Sequence, residues 1–427
     1  MLSVETINQI IGVDESFLAP IELQKILNDN VKRTGMFREF LKHESDLSFD
    51  WFTDYFQEEH SDRKNKKQDF TPDGIVKLVS SLLGNKFVIN ADICAGTGGL
   101  TIKRWSANPD GKFYCEEFSD RAVPFLLFNL MIRNVDAVVF HGDSLSRKAK
   151  HIYKLSKSSK FSDLEEVSSL AVKDKADTVI MNPPYSLKWE PQKEMLEEPR
   201  FRDFKVLAPR SKADYAFILT GLDDLTDNGT MAIILPHGVL FRGNTEGKIR
   251  QKMIDHNYLD AVIGLPEKVF LNTDIPTVVL VLKKQRQTRD VLFIDASKEF
   301  TKDKAHNRIE DKHIIKILNA YHKCENVDKF AHVATLDEIK ENDYNLNIPR
   351  YVDTFEPEPV KPLNKIVTEM KELDKEIEHN AQELGIMLQE LHGTNPEADR
   401  EIKEFTQYWV DKYGVSKPQR KEQLSLL

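Results

Sequence analysis

From about residue 72 onward, short apolar runs alternate with helix-length segments, and this alternation limits the possible folds more than any other feature of the 427 residues. The runs are KFVINADI, KFYCEE, AVVFHGD, ADTVIMN, TMAIILP, LDAVIGLP and TVVLVLKK. Near-continuous apolar runs suit strands covered on both faces, and intervening helices supply the crossovers that parallel strands require. The pattern predicts an α/β protein with a largely parallel, doubly wound sheet of seven strands. Only a short segment bracketed by Pro266 and Pro276 separates the last two runs, which predicts an antiparallel pair at the end of the sheet.

The flanking regions read differently. PIELQKIL and TGMFREFLKH carry apolar residues at helical spacing, aromatic residues cluster in FDWFTDYF, and the charged stretch SDRKNKKQD marks a boundary. Residues 1–67 are expected to form an N-terminal helical region and residues 68–355 the α/β domain. After VLFIDASKEF the signal weakens into short mixed elements as far as NDYNLNIPRYV, and EPEPVKPLN reads as a proline-rich linker. Residues 356–427 hold that linker and C-terminal helices. Ile366, Met370, Leu373, Ile377, Ala381, Leu384, Leu388 and Leu391 form one stripe suited to a coiled coil or bundle. Asn395 and Pro396 read as cap and first turn of a second helix that carries Ile402, Phe405, Trp409 and Tyr413 on one face and ends at Gly414.

The start MLSVETINQI has no leader pattern, and no run approaches the roughly 20 apolar residues of a membrane span, so a cytoplasmic protein without a membrane partner is expected. Cys94, Cys115 and Cys324 lack paired CxxC spacing, which indicates neither a disulfide framework nor a metal site.

Residues able to carry chemistry fall at strand ends. In ADICAGTGG, Asp92 closes a strand, and Cys94, Gly96, Thr97, Gly98 and Gly99 form a turn into a helix. Glycines there let backbone approach a ligand at the carboxyl end of a parallel strand. The same arrangement also suits a dinucleotide, and a tight turn without a ligand needs the same glycines. KFYCEE ends in Glu116 and Glu117, either of which suits the two ribose hydroxyls of an adenosine-containing cofactor; the spacing favours Glu117. Asp143 ends the third strand, where it can accept from a cofactor's adenine amino group or serve as a helix cap.

The fourth strand is the most specific. It ends in Asn182, Pro183, Pro184 and Tyr185, a short amide, two prolines and an aromatic ring. An exocyclic amino group needs acceptors that hold its hydrogens and aim its lone pair, and Asn182 Oδ1 with the Pro183 carbonyl provides them. The prolines restrict the backbone so that this carbonyl stays aimed, and Tyr185 offers a ring for stacking. Extruding a base from a duplex costs a few kcal/mol, and stacking on an aromatic ring returns roughly 1–3 kcal/mol.

With these residues in place, the sequence resembles the amino-group DNA methyltransferases, and more closely the methylation subunits of type I restriction-modification systems. The resemblance runs through Asp69, Phe70, Thr71 and Pro72, the turn Asp92–Gly99, Asn182–Tyr185, ADYAF, LPHGVLFRG, VIGLP and NDYNLNIPRYV, covering nearly all of residues 68–352. It implies the seven-stranded methyltransferase sheet, S-adenosylmethionine as cofactor, and Phe70, Thr71 and Pro72 lying against that cofactor. It implies transfer of a methyl group to the N6 amino group of a flipped adenine in double-stranded DNA. Methyltransferases acting on protein glutamine or RNA share an Asn-Pro-Pro-Tyr site but not the other segments, and a scaffold with a decayed site is opposed by the intact motifs.

Members of that family do not choose their DNA site alone. The resemblance implies a separate specificity subunit, typically joined by two methylation subunits, and in some systems a restriction-translocase subunit. The net charge of −9 agrees, because a chain that grips DNA unaided needs a basic surface to replace counterions. Two local expectations follow. The basic stretch Arg147–Lys160, with six cations and no acid, is expected to be a surface segment touching DNA phosphates, and the C-terminal stripe is expected to dock on the specificity subunit.

Overall fold

The computed structural model describes residues 2–59, 71–169, 174–270, 275–303, 306–354 and 361–414. The charged boundary stretch and Phe70 lie outside these residues. Contacts divide the chain into two units, Met1–Thr354 and Phe355–Leu427.

In chain order the strands of the first unit are β1 (Ile89–Ile93), β2 (Lys112–Glu117), β3 (Asp136–Asp143), β4 (Lys148–Ser156), β5 (Asp163–Glu166), β6 (Ala176–Met181), β7 (Leu225–Pro236), β8 (Leu259–Gly264), β9 (Thr277–Lys283), β10 (Val291–Asp295), β11 (Thr301–Asp303), β12 (His306–Arg308) and β13 (Ala331–Ala334). All but the small β11/β12 ribbon join one sheet, ordered β13-β10-β8-β9-β7-β6-β1-β2-β3-β4-β5. Its seven central strands, β3-β2-β1-β6-β7-β9-β8, are the seven apolar runs; the first five pair in parallel, and β9 runs antiparallel to both β7 and β8. Chain order reverses between β1 and β6. A crevice outside the strand ends is expected there.

The sheet is wider than the seven strands expected, with eleven in all. Two additions extend each edge. The apolar run VLFID forms β10, parallel to β8, and β13 closes that side antiparallel to it. The Pro-flanked pair is antiparallel as expected, but β9 lies between β7 and β8, inside the sheet and not at its end.

At the other edge the basic stretch, expected to be a surface segment touching DNA phosphates, makes β4. It pairs antiparallel with β3, and β5 pairs with it in turn. Ile152, Tyr153 and Leu155 are buried while Lys148, Lys150 and Lys154 face solvent, so this strand next to the sheet edge is only partly covered. Much of its charge is answered within the chain. Arg147 pairs with Glu116 and Asp224, Lys150 with Asp120 and Lys157 with Asp110, and Lys154 lies opposite Glu165 in the ladder.

Alternating side chains cover both faces. Val179 and Met181 of β6 enter one hydrophobic cluster with the helix Asp214–Asp224, while Ile180 enters another with the helices Asp73–Leu82 and Asp311–Lys323. The N-terminal helices Val4–Ile11, Ala19–Asn28, Asn30–His43 and Thr53–Glu59 share a third cluster with the helix Val123–Ile132 and residues of β2 and β3. Rings interlock there edge to face, with Phe37 at 5.0 Å and Phe40 at 4.8 Å from Phe128, and Phe52 also against it at 4.9 Å.

The second unit is a pair of helices, Leu363–Gln389 and Pro396–Tyr413. The connection is tight, since a Cβ on Gly393 would stand 2.1 Å from the Asp399 nitrogen. Asn395 caps the second helix as expected, accepting from the amides of Glu397 and Ala398. Trp409 Nε1 donates to the Ala381 carbonyl at 2.8 Å. The first helix buries only Ala381 and Gly385, and Met370, Leu373, Ile377, Leu384 and Leu391 stay exposed. No described helix is long and apolar enough to cross a membrane.

One buried cation ties together the elements around the glycine turn. Arg104, fully buried in the helix Gly99–Ala107, donates to Asn90 Oδ1 on β1 and to the Ser80 and Gly84 carbonyls at the end of the helix Asp73–Leu82. Burial pulls its guanidinium down to about 10, which still leaves it charged at neutral pH. Arg104→Met keeps the bulk but strands those acceptors, so urea unfolding should show a loss of roughly 2–4 kcal/mol. Unchanged stability would show that the bracket contributes nothing.

Candidate active site

The parallel register sets Ile93 of β1 opposite Met181 of β6, so the glycine turn and Asn182 leave the sheet side by side. A cavity of about 420 Å³ opens there, a size suited to a cofactor-scale ligand. Its wall includes Thr71, Cys94, Gly96, Gly99, Glu117, Asp143 and all of Asn182–Tyr185. Residues expected from four separate strand ends and the segment before the helix Asp73–Leu82 therefore meet at one place.

The glycine turn is built under backbone constraint. The Cys94 and Ala95 amides both donate to the Glu116 carbonyl, at 3.0 and 2.9 Å, which curls the chain back over β2. Cys94 is left at φ 71, a region that costs a non-glycine residue free energy. Gly98 has φ 102, and a Cβ there would stand 2.9 Å from Leu126 Cδ1, so both torsion and packing require glycine.

The two glutamates separate cleanly. Glu117 Oε2 accepts from the Gly96 amide at 2.8 Å and Oε1 from the Ser119 amide at 2.7 Å, which pins the carboxylate on the cavity wall. Glu116 points away, fully buried, with Arg147 at 2.6 Å. Asp143 lines the cavity, and its Oδ1 accepts from the Leu145 amide at 2.9 Å in the turn into β4, where no helix follows for it to cap.

Asn182 is oriented from both ends. Its Nδ2 donates to Thr71 Oγ1 at 2.9 Å, and its Oδ1 accepts from the Tyr185 hydroxyl at 2.9 Å. The Tyr185 ring packs edge to face on buried Phe270, with centroids 5.9 Å apart. The tetrad is thus a braced unit.

Other nominated residues stand behind the wall. Pro72 starts the helix Asp73–Leu82, Gly98 packs on Leu126, and Thr97 turns its hydroxyl to Asp50. Asp92 is fully buried, with Thr101 Oγ1 donating to Oδ2 at 2.6 Å and no hydrogen-bond partner for Oδ1 among the described residues. Burial lifts its carboxyl to about 7, with Glu117 adding to the rise. The same burial, with Glu117, Glu116, Asp92 and Asp143 nearby, pushes the Cys94 thiol well up and keeps it neutral.

Several cavity residues carried no earlier assignment. Thr53 comes from the N-terminal helices, Trp189 from the segment after the tetrad, and Phe217 from ADYAF. Phe118 follows Glu117 and is 49% exposed on the cavity. An aromatic residue directly after an acidic strand end was a legible signal for it.

ADYAF and LPHGVLFRG prove to be one support. Fully buried Asp214 accepts from the Ser186 amide at 2.7 Å, holding the residue after the tetrad at φ 50. Arg242 donates to Asp214 Oδ2 through both terminal nitrogens at 2.9 Å and to Glu246 at 2.9 Å. It lies across Gly238, where a Cβ would stand 2.7 Å from Arg242 Nε. Among the described residues no cluster of His, Cys, Asp and Glu could hold a metal ion.

The Asp92 carboxyl makes stability depend on pH. The folded chain keeps this proton across a range where the unfolded chain, titrating near 4, has released it. The stability so contributed is complete below about pH 4 and is lost as pH rises to about 7. Melting temperatures of the chain alone should carry this decline, and Asp92→Asn should flatten it. An Asp92→Asn profile parallel to that of the wild type would contradict the assignment.

A family model described as N-6 DNA methylase matches residues 47–359. The methylase subunit of the type I restriction enzyme MpnII from Mycoplasma pneumoniae is 32% identical over 333 residues, covering 74% of this chain and 59% of that protein. The MjaVIII methylase subunit from Methanocaldococcus jannaschii is 28% identical over 361 residues, covering 81% of this chain and 59% of that one. Among solved structures, a type I restriction-modification system methyltransferase subunit from Streptococcus thermophilus aligns with a TM-score of 0.59 and 42% identity, covering 67% of this chain and 59% of that one. The chain therefore spans 59% of the length of each of these three. The glycine turn, the tetrad and the central strands all fall within the matched residues, and the chain belongs to the N-6 DNA methylase family.

Proposed function

We propose that this chain is the methyl-transferring part of a type I restriction-modification methyltransferase, acting on the N6 amino group of adenine in double-stranded DNA. The observation that carries the reading is the meeting of the Asn182–Tyr185 tetrad with the glycine turn, Glu117 and Asp143 on one cavity.

The residues present fit S-adenosylmethionine. Glu117 is a fixed acceptor for ribose hydroxyls, Asp143 an acceptor for an adenine amino group, and exposed Phe118 an apolar face beside both. The Glu117 and Asp143 carboxylates on the wall favour a ligand bearing positive charge, and this cofactor has an ammonium and a sulfonium. Phe70 is proposed to join this set by the resemblance alone. When bound, the cofactor supplies a methyl group already activated for attack, so the chain needs no metal and no strong base.

What the chain supplies is alignment. With Nδ2 donating to Thr71 and Oδ1 accepting from Tyr185, the Asn182 amide is held in one orientation, and Oδ1 is the acceptor proposed for an adenine amino hydrogen. The Pro183 carbonyl accepts the other. Two carbonyl oxygens so placed direct the nitrogen lone pair and stabilise positive charge as it develops there. Tyr185 is braced by Asn182 and Phe270, so stacking of the extruded base on it costs little further ordering. The proton leaves to solvent after transfer.

Partners complete the function. The exposed stripe of the Leu363–Gln389 helix is proposed to dock on a specificity subunit that chooses the DNA site, with two methylation subunits per specificity subunit and a restriction-translocase subunit in some assemblies. The compensated charge of β4 agrees with DNA affinity resting largely on that partner.

Two measurements test this reading. In the assembled enzyme, Asn182→Ala should lower methyl transfer to DNA at least a hundredfold while S-adenosylmethionine affinity stays within a few fold, roughly the cost of an aligning group used in the transition state. Substantial residual methylation would show the acceptors are wrongly assigned. Deleting residues 360–427 should abolish co-purification with the specificity subunit and leave cofactor binding intact. Persistent assembly would refute docking through these helices.

A further inference from the structure

The glycine turn is not held by the sheet alone. Its Thr97 is 1% exposed and turns its hydroxyl away from the cavity, toward the N-terminal region, where it donates to Asp50 Oδ2. The same carboxylate accepts from Thr53 Oγ1 at 2.9 Å, and its Oδ1 accepts from the Phe52 amide at 2.9 Å and from Asn129 Nδ2 at 2.7 Å. Asn129 Nδ2 also donates to the Thr97 carbonyl at 2.8 Å. Thr97 is therefore gripped at side chain and backbone by one bracket.

The bracket is anchored by a buried cation. Arg133, 3% exposed, donates to Asn129 Oδ1 and to the carbonyls of Leu47 and Phe49, so it clamps the segment that carries Asp50 to the helix Val123–Ile132. The neighbouring carboxylates of Asp50 and Asp46 favour its charge, although burial pulls it down to about 10. Three residues beyond Asp50, Thr53 reaches the cavity wall itself. A carboxylate with four donors in this setting holds a single geometry, and that geometry fixes the turn on which the cofactor would lie.

We infer that Asp50 is a positioning residue for the cofactor, and that docking of the N-terminal helices and cofactor affinity are coupled through the Asp50–Thr97 contact. This deepens the proposed function and rests on its assignment of S-adenosylmethionine to the cavity. The coupling is reciprocal. Whatever loosens the N-terminal helices weakens cofactor binding, and bound cofactor tightens their docking.

The test is calorimetric titration of S-adenosylmethionine into the full chain and three variants, Asp50→Asn, Thr97→Val and their double. Asp50→Asn keeps the shape and the Oδ1 contacts, and alters only the side facing Thr97 and Thr53. Each single variant should raise Kd roughly tenfold, the scale of one hydrogen bond to a charged group, and the double should bind no more weakly than the worse single. Asp46→Asn, with the same charge change on an exposed neighbour, should bind as the wild type does. Thermal unfolding of the same proteins separates a structural role, because a lowered melting temperature with unchanged Kd overturns the inference. Losses that multiply in the double variant overturn it as well. A wild-type chain that does not bind the cofactor overturns the cavity assignment and the inference together, whereas wild-type binding with unaltered variants overturns the inference alone.

Discussion

Backbone hydrogen bonds between β1 and β6 set Ile93 beside Met181, and through that register two loops far apart in sequence come to share one cavity. A shift of one residue would turn every side chain of β6 to the other face of the sheet. The alternation of Val179, Ile180 and Met181 between two different hydrophobic clusters forbids it. The site thus depends on apolar burial on both sides of the sheet before any polar contact is considered. Because β1 and β6 are where chain order reverses, the crossovers leave in opposite directions and open the crevice.

Loops at strand ends need further support, and here buried charges provide it. Arg104 holds the helix after the glycine turn, the Arg133–Asn129–Asp50 chain holds the turn itself, and Arg242 with Asp214 holds the residue after the tetrad. Magnitudes distinguish these from the many ion pairs at the surface. Arg210 and Glu190, each more than 70% exposed, make a contact worth at most about 1 kcal/mol. Asp214 is fully buried, and leaving such a carboxylate without its cation costs about 3–5 kcal/mol. Each buried bracket joins a site loop to a helix beyond it, so the geometry of the cavity is inherited from the packing of the whole unit.

Much of this was legible in the residues. Apolar runs marked the seven central strands because parallel strands covered on both faces cannot alternate with polar residues. Asn182–Tyr185 and the glycine turn were legible because few residue types satisfy their backbone and acceptor requirements. The edges were not. β4 is rich in lysine, and a strand near the sheet edge with one open face carries no apolar run to betray it, so only its pairing with β3 and β5 marks it as part of the sheet. Asp92 and Thr97 read as cofactor contacts because they flank the glycines, yet sequence proximity does not say which side of a turn faces the ligand. Asp50 lies 47 residues before Thr97, and nothing local marks it as part of the same site.

Membership in the N-6 DNA methylase family and the braced Asn182 amide both support the proposed chemistry, a methyl group placed on an amino nitrogen by alignment. The proposed assignment of DNA-site choice to another chain is supported by a net charge of −9 and an exposed apolar helix stripe in a chain that also has a formed pocket. The most direct measurement is to incubate duplex DNA with this chain, its specificity partner and S-adenosylmethionine labelled in the methyl group, then digest the DNA to nucleosides. Label in N6-methyladenine alone is the expected result. Label in cytosine, in protein or RNA, or in no product would contradict the proposed chemistry.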